Sequence, residues 1–97
     1  AQQWPDTTTP LFGLANTAFS LGDPGAAELS YRALLRLDSS HLGARNNLAY
    51  VLAASGRVSE ALGELDAALA EPGLSSKWHD ELQDTRLEIL SMQPSSY

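Results

Sequence analysis

Residues 46–72, NNLAYVLAASGRVSEALGELDAALAEP, decide the fold. Leu48, Val51 and Leu52 recur at three- and four-residue spacing, Ser55-Gly56 interrupts them, and Ala61, Leu62, Leu65, Ala68 and Leu69 resume the same spacing. Apolar residues so placed line one face of an α-helix. The stretch therefore reads as two amphipathic helices joined by a glycine turn. Pro72-Gly73 stops the second helix, because proline lacks the N–H that the helix needs and its ring obstructs the preceding turn.

The same pattern stands 34 residues earlier, where Leu14, Ala15, Gly22, Ala27 and Leu35 match Leu48, Ala49, Gly56, Ala61 and Leu69. A further shift of 34 takes Leu48 to Leu82. Around these copies, local signals predict five helices and no strand. Thr9 caps and Pro10 opens the first, with Leu11, Leu14, Ala15, Ala18 and Leu21 on one face. Asp23-Pro24 repeats that signal for a helix from about Pro24 to Leu37, burying Ala27, Tyr31, Leu34 and Leu35. After the break at Asp38-Ser39-Ser40, His41 opens a third helix as an exposed residue, and the fourth starts near Val58. Ser75 and Ser76 cap the fifth, with Asp80 and Glu81 in its first turn, where carboxylates suit the positive helix end. Trp78, Leu82, Ile89 and Leu90 are its apolar positions, and Asp84, Arg86 and Glu88 give it a polar face.

With 97 residues, the chain is one domain near the lower end of what buries its own core. Its formal charge of −6, from 12 carboxylates against 6 basic residues, is the wrong sign for a phosphate-backbone binder. Cysteine is absent, which removes disulfides, thiolate catalysis and cysteine-ligated zinc from this segment. No apolar run reaches the roughly 20 residues of a membrane span. No secretory signal opens the chain, so either it is cytosolic or the signal lies before residue 1.

A 34-residue helix–turn–helix period is that of the tetratricopeptide repeat. Asn47-Leu48-Ala49, Leu52, Gly56, Ala61, Leu65, Ala68-Leu69 and Pro72 resemble its signature. The first copy fits without a gap and departs at Leu34, where the family prefers a small residue. The alternative is an ordinary antiparallel helical bundle with chance spacing. The resemblance implies an all-α, right-handed solenoid. Residues 10–39 and 40–75 form two units, 76–92 a capping helix and 93–97 a frayed tail. Pro5, 34 residues before Ser39, makes residues 1–9 the stub of a preceding unit. Leu11 and Phe12 would then lie on a strip that upstream helices cover. Trp4-Pro5-Asp6, Leu11-Phe12-Gly13-Leu14-Ala15-Asn16 and Asn46-Asn47-Leu48-Ala49 also resemble the repeat tails of bacterial envelope proteins that carry an upstream papain-like peptidase domain of the double-glycine leader type. That likeness implies an envelope setting and an active site outside this segment.

The resemblance further implies that the first helix of each unit lines a concave groove. Its positions here are Phe12, Asn16, Phe19, Asn46, Asn47 and Tyr50, with Lys77, Asp80 and Asp84 on the capping helix. Asparagine both donates to and accepts from a peptide backbone. Phenylalanine and tyrosine add contact area at low entropic cost. The expected role is a non-enzymatic module for a protein or peptide partner, monomeric or weakly dimeric, without cofactor or metal. The plainer reading packs Phe19 and Tyr50 against neighbouring helices and leaves the asparagines solvated. Asn16, Asn47 and Lys77 match three positions of the clamp that grips acidic chaperone termini, but Phe12 and Glu81 replace the two basic ones. His41 and His79 have neither a general-base partner nor metal-ligand spacing, and no nucleophile elbow or phosphate loop exists. Glu60, Glu64, Asp66 and Glu71 form an acidic outer surface, read as solvated.

Overall fold

The structure is a computed structural model that describes residues 8–92. Among them are five helices and no strand: α1 (Thr8–Ser20), α2 (Pro24–Leu37), α3 (Leu42–Ala54), α4 (Val58–Leu69) and α5 (Ser76–Ser91). The expected tail at 93–97 and most of the stub at 1–9 lie outside the described residues.

Local chemistry places the ends. The Asp23 carboxylate accepts the Ala26 N–H at 3.1 Å, and the Ser75 hydroxyl accepts that of Trp78 at 3.2 Å. Each satisfies an N–H that has no partner inside the helix. Gly22 and Gly56 follow α1 and α3 with φ of 82° and 81°, the left-handed turn that glycine adopts without steric cost. Three expectations about ends are corrected. α1 begins at Thr8, so Thr9 lies inside it, and Pro10 sits within the first turn, where no helical N–H bond is lost. Because Ser75 is the cap, Asp80 and Glu81 fall beyond the first turn of α5. His41 is half-buried: its Nδ1 accepts the Ala44 N–H at 3.0 Å, and its ring lies 5.0 Å from that of Phe12. An accepting Nδ1 leaves the proton of the neutral ring on Nε2.

Packing follows the repeat. Ala49 and Ala61 are fully buried, as are Ala15 and Ala27 one period earlier, and small residues there let paired helices approach closely. Tyr31 and Leu34 of α2, Leu48 and Leu52 of α3, Leu65 of α4, and Leu82 and Ile89 of α5 join them in one continuous core. Among the larger first-unit positions, Leu35 is only half-buried. α1 touches α3 and α3 touches α5, whereas α2 and α4 do not touch along their backbones. The stack therefore curves with α1, α3 and α5 on its inner side.

The two ends of the stack differ from the sequence reading. Leu11 and Phe12 pack against the core, and Leu14 and Leu21 are the leucines left open on and just after α1, at 60% and 80% exposure. Phe12 points towards α3, within 3.3 Å of where a Cβ would stand on Gly43, so it faces the following unit rather than a preceding one. At the other end Leu90 is exposed despite its place in the apolar pattern of α5, and Leu87 stands open beside the polar residues.

The outer acidic side chains are mostly paired, not merely solvated. Arg57 donates to Glu28 at 2.6 Å and to Glu60 at 2.8 Å, Arg45 meets Glu64 at 3.3 Å, and Arg86 meets Asp66 at 2.6 Å. The Glu28–Arg57 and Arg86–Asp66 pairs tie consecutive helix pairs together. Arg57 and then Arg32 hold the half-buried Glu28 carboxyl below the ordinary glutamate range. Such a group adds stability above its unfolded pKa and loses it as the pH falls through the folded value. Thermal melts should therefore weaken below about pH 4.5, and Glu28→Gln should flatten that decline. An unchanged slope in Glu28→Gln would remove this pair from the acid response.

Candidate functional site

The inner surface is built from the half-buried Phe12, Asn16 and Phe19 of α1, the half-buried Asn46, Asn47 and Tyr50 of α3, and a polar stripe of α5. Asn16 accepts hydrogen bonds from the Tyr31 hydroxyl and from Asn47 Nδ2, the latter at 3.0 Å. One oxygen thus joins α1, α2 and α3. Burial pushes the Tyr31 hydroxyl above the ordinary tyrosine range, which keeps it a neutral donor at physiological pH. Phe12 stacks edge-on against Tyr31, with centroids 6.2 Å apart, and is half-buried. Phe19 is half-buried against the core, and Asn46 holds its Oδ1 buried with no donor among the described residues. Asn16, Asn47 and Phe12 thus serve the joint between units as well as the surface.

Tyr50 lies on α3 towards α5. Its hydroxyl donates to Glu88 at 2.6 Å, and Glu81 acts on it from the same helix. Burial first, then the hydrogen bond to Glu88, raises the Tyr50 pKa. Lys77, Glu81, Asp84 and Glu88 follow one another at three- and four-residue steps, so they share one stripe of α5. All four are exposed, as is Asp80 beside them. Among the described residues no arginine pairs with Glu81, Asp84 or Glu88; four of the five, Arg32, Arg45, Arg57 and Arg86, are engaged with other carboxylates. The inner surface therefore has an uncharged aromatic and amide side on α1 and α3, and an acidic wall on α5.

Glu81, Glu88 and the buried Thr85 were not among the groove positions read from the sequence. Glu88 was legible only as a polar position on a capping helix, and Glu81 as a first-turn carboxylate that replaces a basic clamp residue, since their approach to Tyr50 needs the crossing of α5 over α3. Thr85 looks polar in sequence, yet its hydroxyl returns to the Glu81 carbonyl at 3.0 Å, which allows its burial. Among the described residues no cluster of three or more metal-ligating side chains occurs, and no helix is long and apolar enough to cross a membrane.

A curved stack of helix pairs at a 34-residue period, with small residues at each close crossing, defines a helical repeat protein. The tetratricopeptide repeat profile matches residues 12–75, and the chain belongs to that family. Repeats of this family generally mediate protein–protein interaction and are typically non-catalytic. No curated protein and no solved structure matches the chain significantly.

Proposed function

We propose that the inner surface of α1, α3 and α5 binds an extended or helical segment of a partner protein, and that this segment carries lysine or arginine. The observation that supports this reading is the placement of Tyr50 beside Glu81 and Glu88, neither of which forms an ion pair among the described residues. A cationic side chain entering there gains Coulomb attraction from the α5 stripe and contact with an aromatic ring. An acidic C-terminus is disfavoured by the same charges. Phe12, Phe19 and the amides of Asn16, Asn46 and Asn47 continue the surface towards α1, where apolar and backbone groups of the segment find partners.

Peptide arrays with interspersed lysine and leucine, compared with arrays in which glutamate replaces lysine, test the proposal. The lysine series should bind, more weakly as salt rises, and Tyr50→Ala or Asp84→Asn should weaken it about tenfold, the scale of one lost charged or aromatic contact. Glu60→Ala and Glu64→Ala on the outer surface should leave it unchanged. Equal losses from both sets would remove the assignment to the inner surface.

The likeness to repeat tails of envelope peptidases leads to a narrower reading, in which the same surface regulates or assembles an enzyme whose active site lies outside this segment. The family match covers the repeats alone and adds no support to that reading. A cysteine and a histidine in a papain-like context elsewhere in the polypeptide would be its first requirement.

A further inference from the structure

The open side of α1 has a counterpart in this same molecule whose fate is visible. Leu14 and Thr17 occupy the slots that Leu48 and Val51 occupy one period later. Leu48 and Val51 are both fully buried, whereas Leu14 is 60% exposed and Thr17 is exposed. α3 packs along α2, which runs antiparallel to it, an interface that α1 has no counterpart of among the described helices. An antiparallel helix laid on α1 would continue an interface that the fold already uses once. α1 is moreover the one described helix without a single charged residue, and its exposed positions are Thr9, Pro10, Gly13, Leu14, Thr17 and Ser20. A helix side that stays in water normally carries charge. Gly13 has open space above its Cα, so a second backbone can approach closely there.

We propose that this face is covered by a second copy of the chain, α1 against α1 about a twofold axis. A twofold axis perpendicular to a helix sets the two copies antiparallel, which is the orientation of α2 on α3. Charge selects this face over the others: each copy carries −6, and α1 itself brings no carboxylate to the contact. The far end is less suited, because Leu87 and Leu90 on α5 stand among Asp80, Asp84 and Glu88. Leu21 and Pro10 lie near opposite ends of the α1 face, so antiparallel pairing brings them towards each other across the contact. One helix face per copy is a small contact, on the scale of transient rather than permanent interfaces. The association is therefore weak and concentration-dependent, and it leaves the inner surface free.

Sedimentation equilibrium of the whole chain, at loadings on the order of 10 to 500 µM, decides the matter. The average mass should rise from the 10.4 kDa monomer towards twice that value. Leu14→Asp and, separately, Thr17→Asp should hold it at the monomer while the helical circular dichroism persists, since both positions are exposed within the monomer. Leu87→Asp should leave the rise unaltered. A wild-type chain monomeric throughout would overturn the proposal and leave a preceding helix of the same polypeptide as the cover for α1. A rise that survives both α1 variants but disappears in Leu87→Asp would overturn it in favour of the α5 end.

Discussion

Replacing Leu48 by alanine should destabilise the protein by about 2–5 kcal/mol, whereas Leu14→Ala should change its stability by no more than about 0.5 kcal/mol. The two leucines hold the same slot of the repeat, and a reading of sequence alone would score them equally. In the structure Leu48 lies fully buried in the continuous core, and its removal leaves a cavity that the neighbouring helices fill only partly. Leu14 is 60% exposed, so truncation there removes little buried area. Urea unfolding of both variants at low micromolar concentration, where self-association does not contribute, measures the contrast. Similar losses at the two positions would mean that Leu14 is covered within the monomer.

Ala61→Phe should cost about 1–3 kcal/mol by overpacking. Ala61 is fully buried where α4 crosses α3, and Ala49 faces the same narrow crossing with no exposure of its own. The added ring must push the helices apart or enter the space of Leu48 and Leu52, which the core already fills. Because α5 rests on both α3 and α4, a wider crossing also loosens the capping helix. Thermal melts followed by helical circular dichroism should show a lower midpoint. An unchanged midpoint would mean that the crossing has room the structure does not show. The same substitution at Ala67, on the exposed side of α4, serves as the control for helix propensity and should cost far less.

Parts of this architecture are readable from short stretches of sequence because they depend on neighbours three or four residues away. The turn glycines, the Asp23 and Ser75 caps, and the bounds of α2 are of this kind, since a side chain and the N–H it caps lie in one segment. The buried alanines at the crossings are readable too, because the 34-residue period repeats them. Those signals by themselves determined an all-α repeat with five helices. Tertiary structure decided which equivalent positions are covered. Leu14 and Leu48 have the same local surroundings and opposite exposure, because coverage depends on what stacks against the helix. His41 became a cap resting on Phe12, Asn16 met Asn47 and Tyr31, and Tyr50 reached Glu88, each across more than one helix. The outer carboxylates found arginines on other helices for the same reason. A period in the sequence sets where each helix repeats, but the angle at which α5 crosses α3, and hence the acidic wall beside Tyr50, is set by how the buried side chains of α3, α4 and α5 fit together.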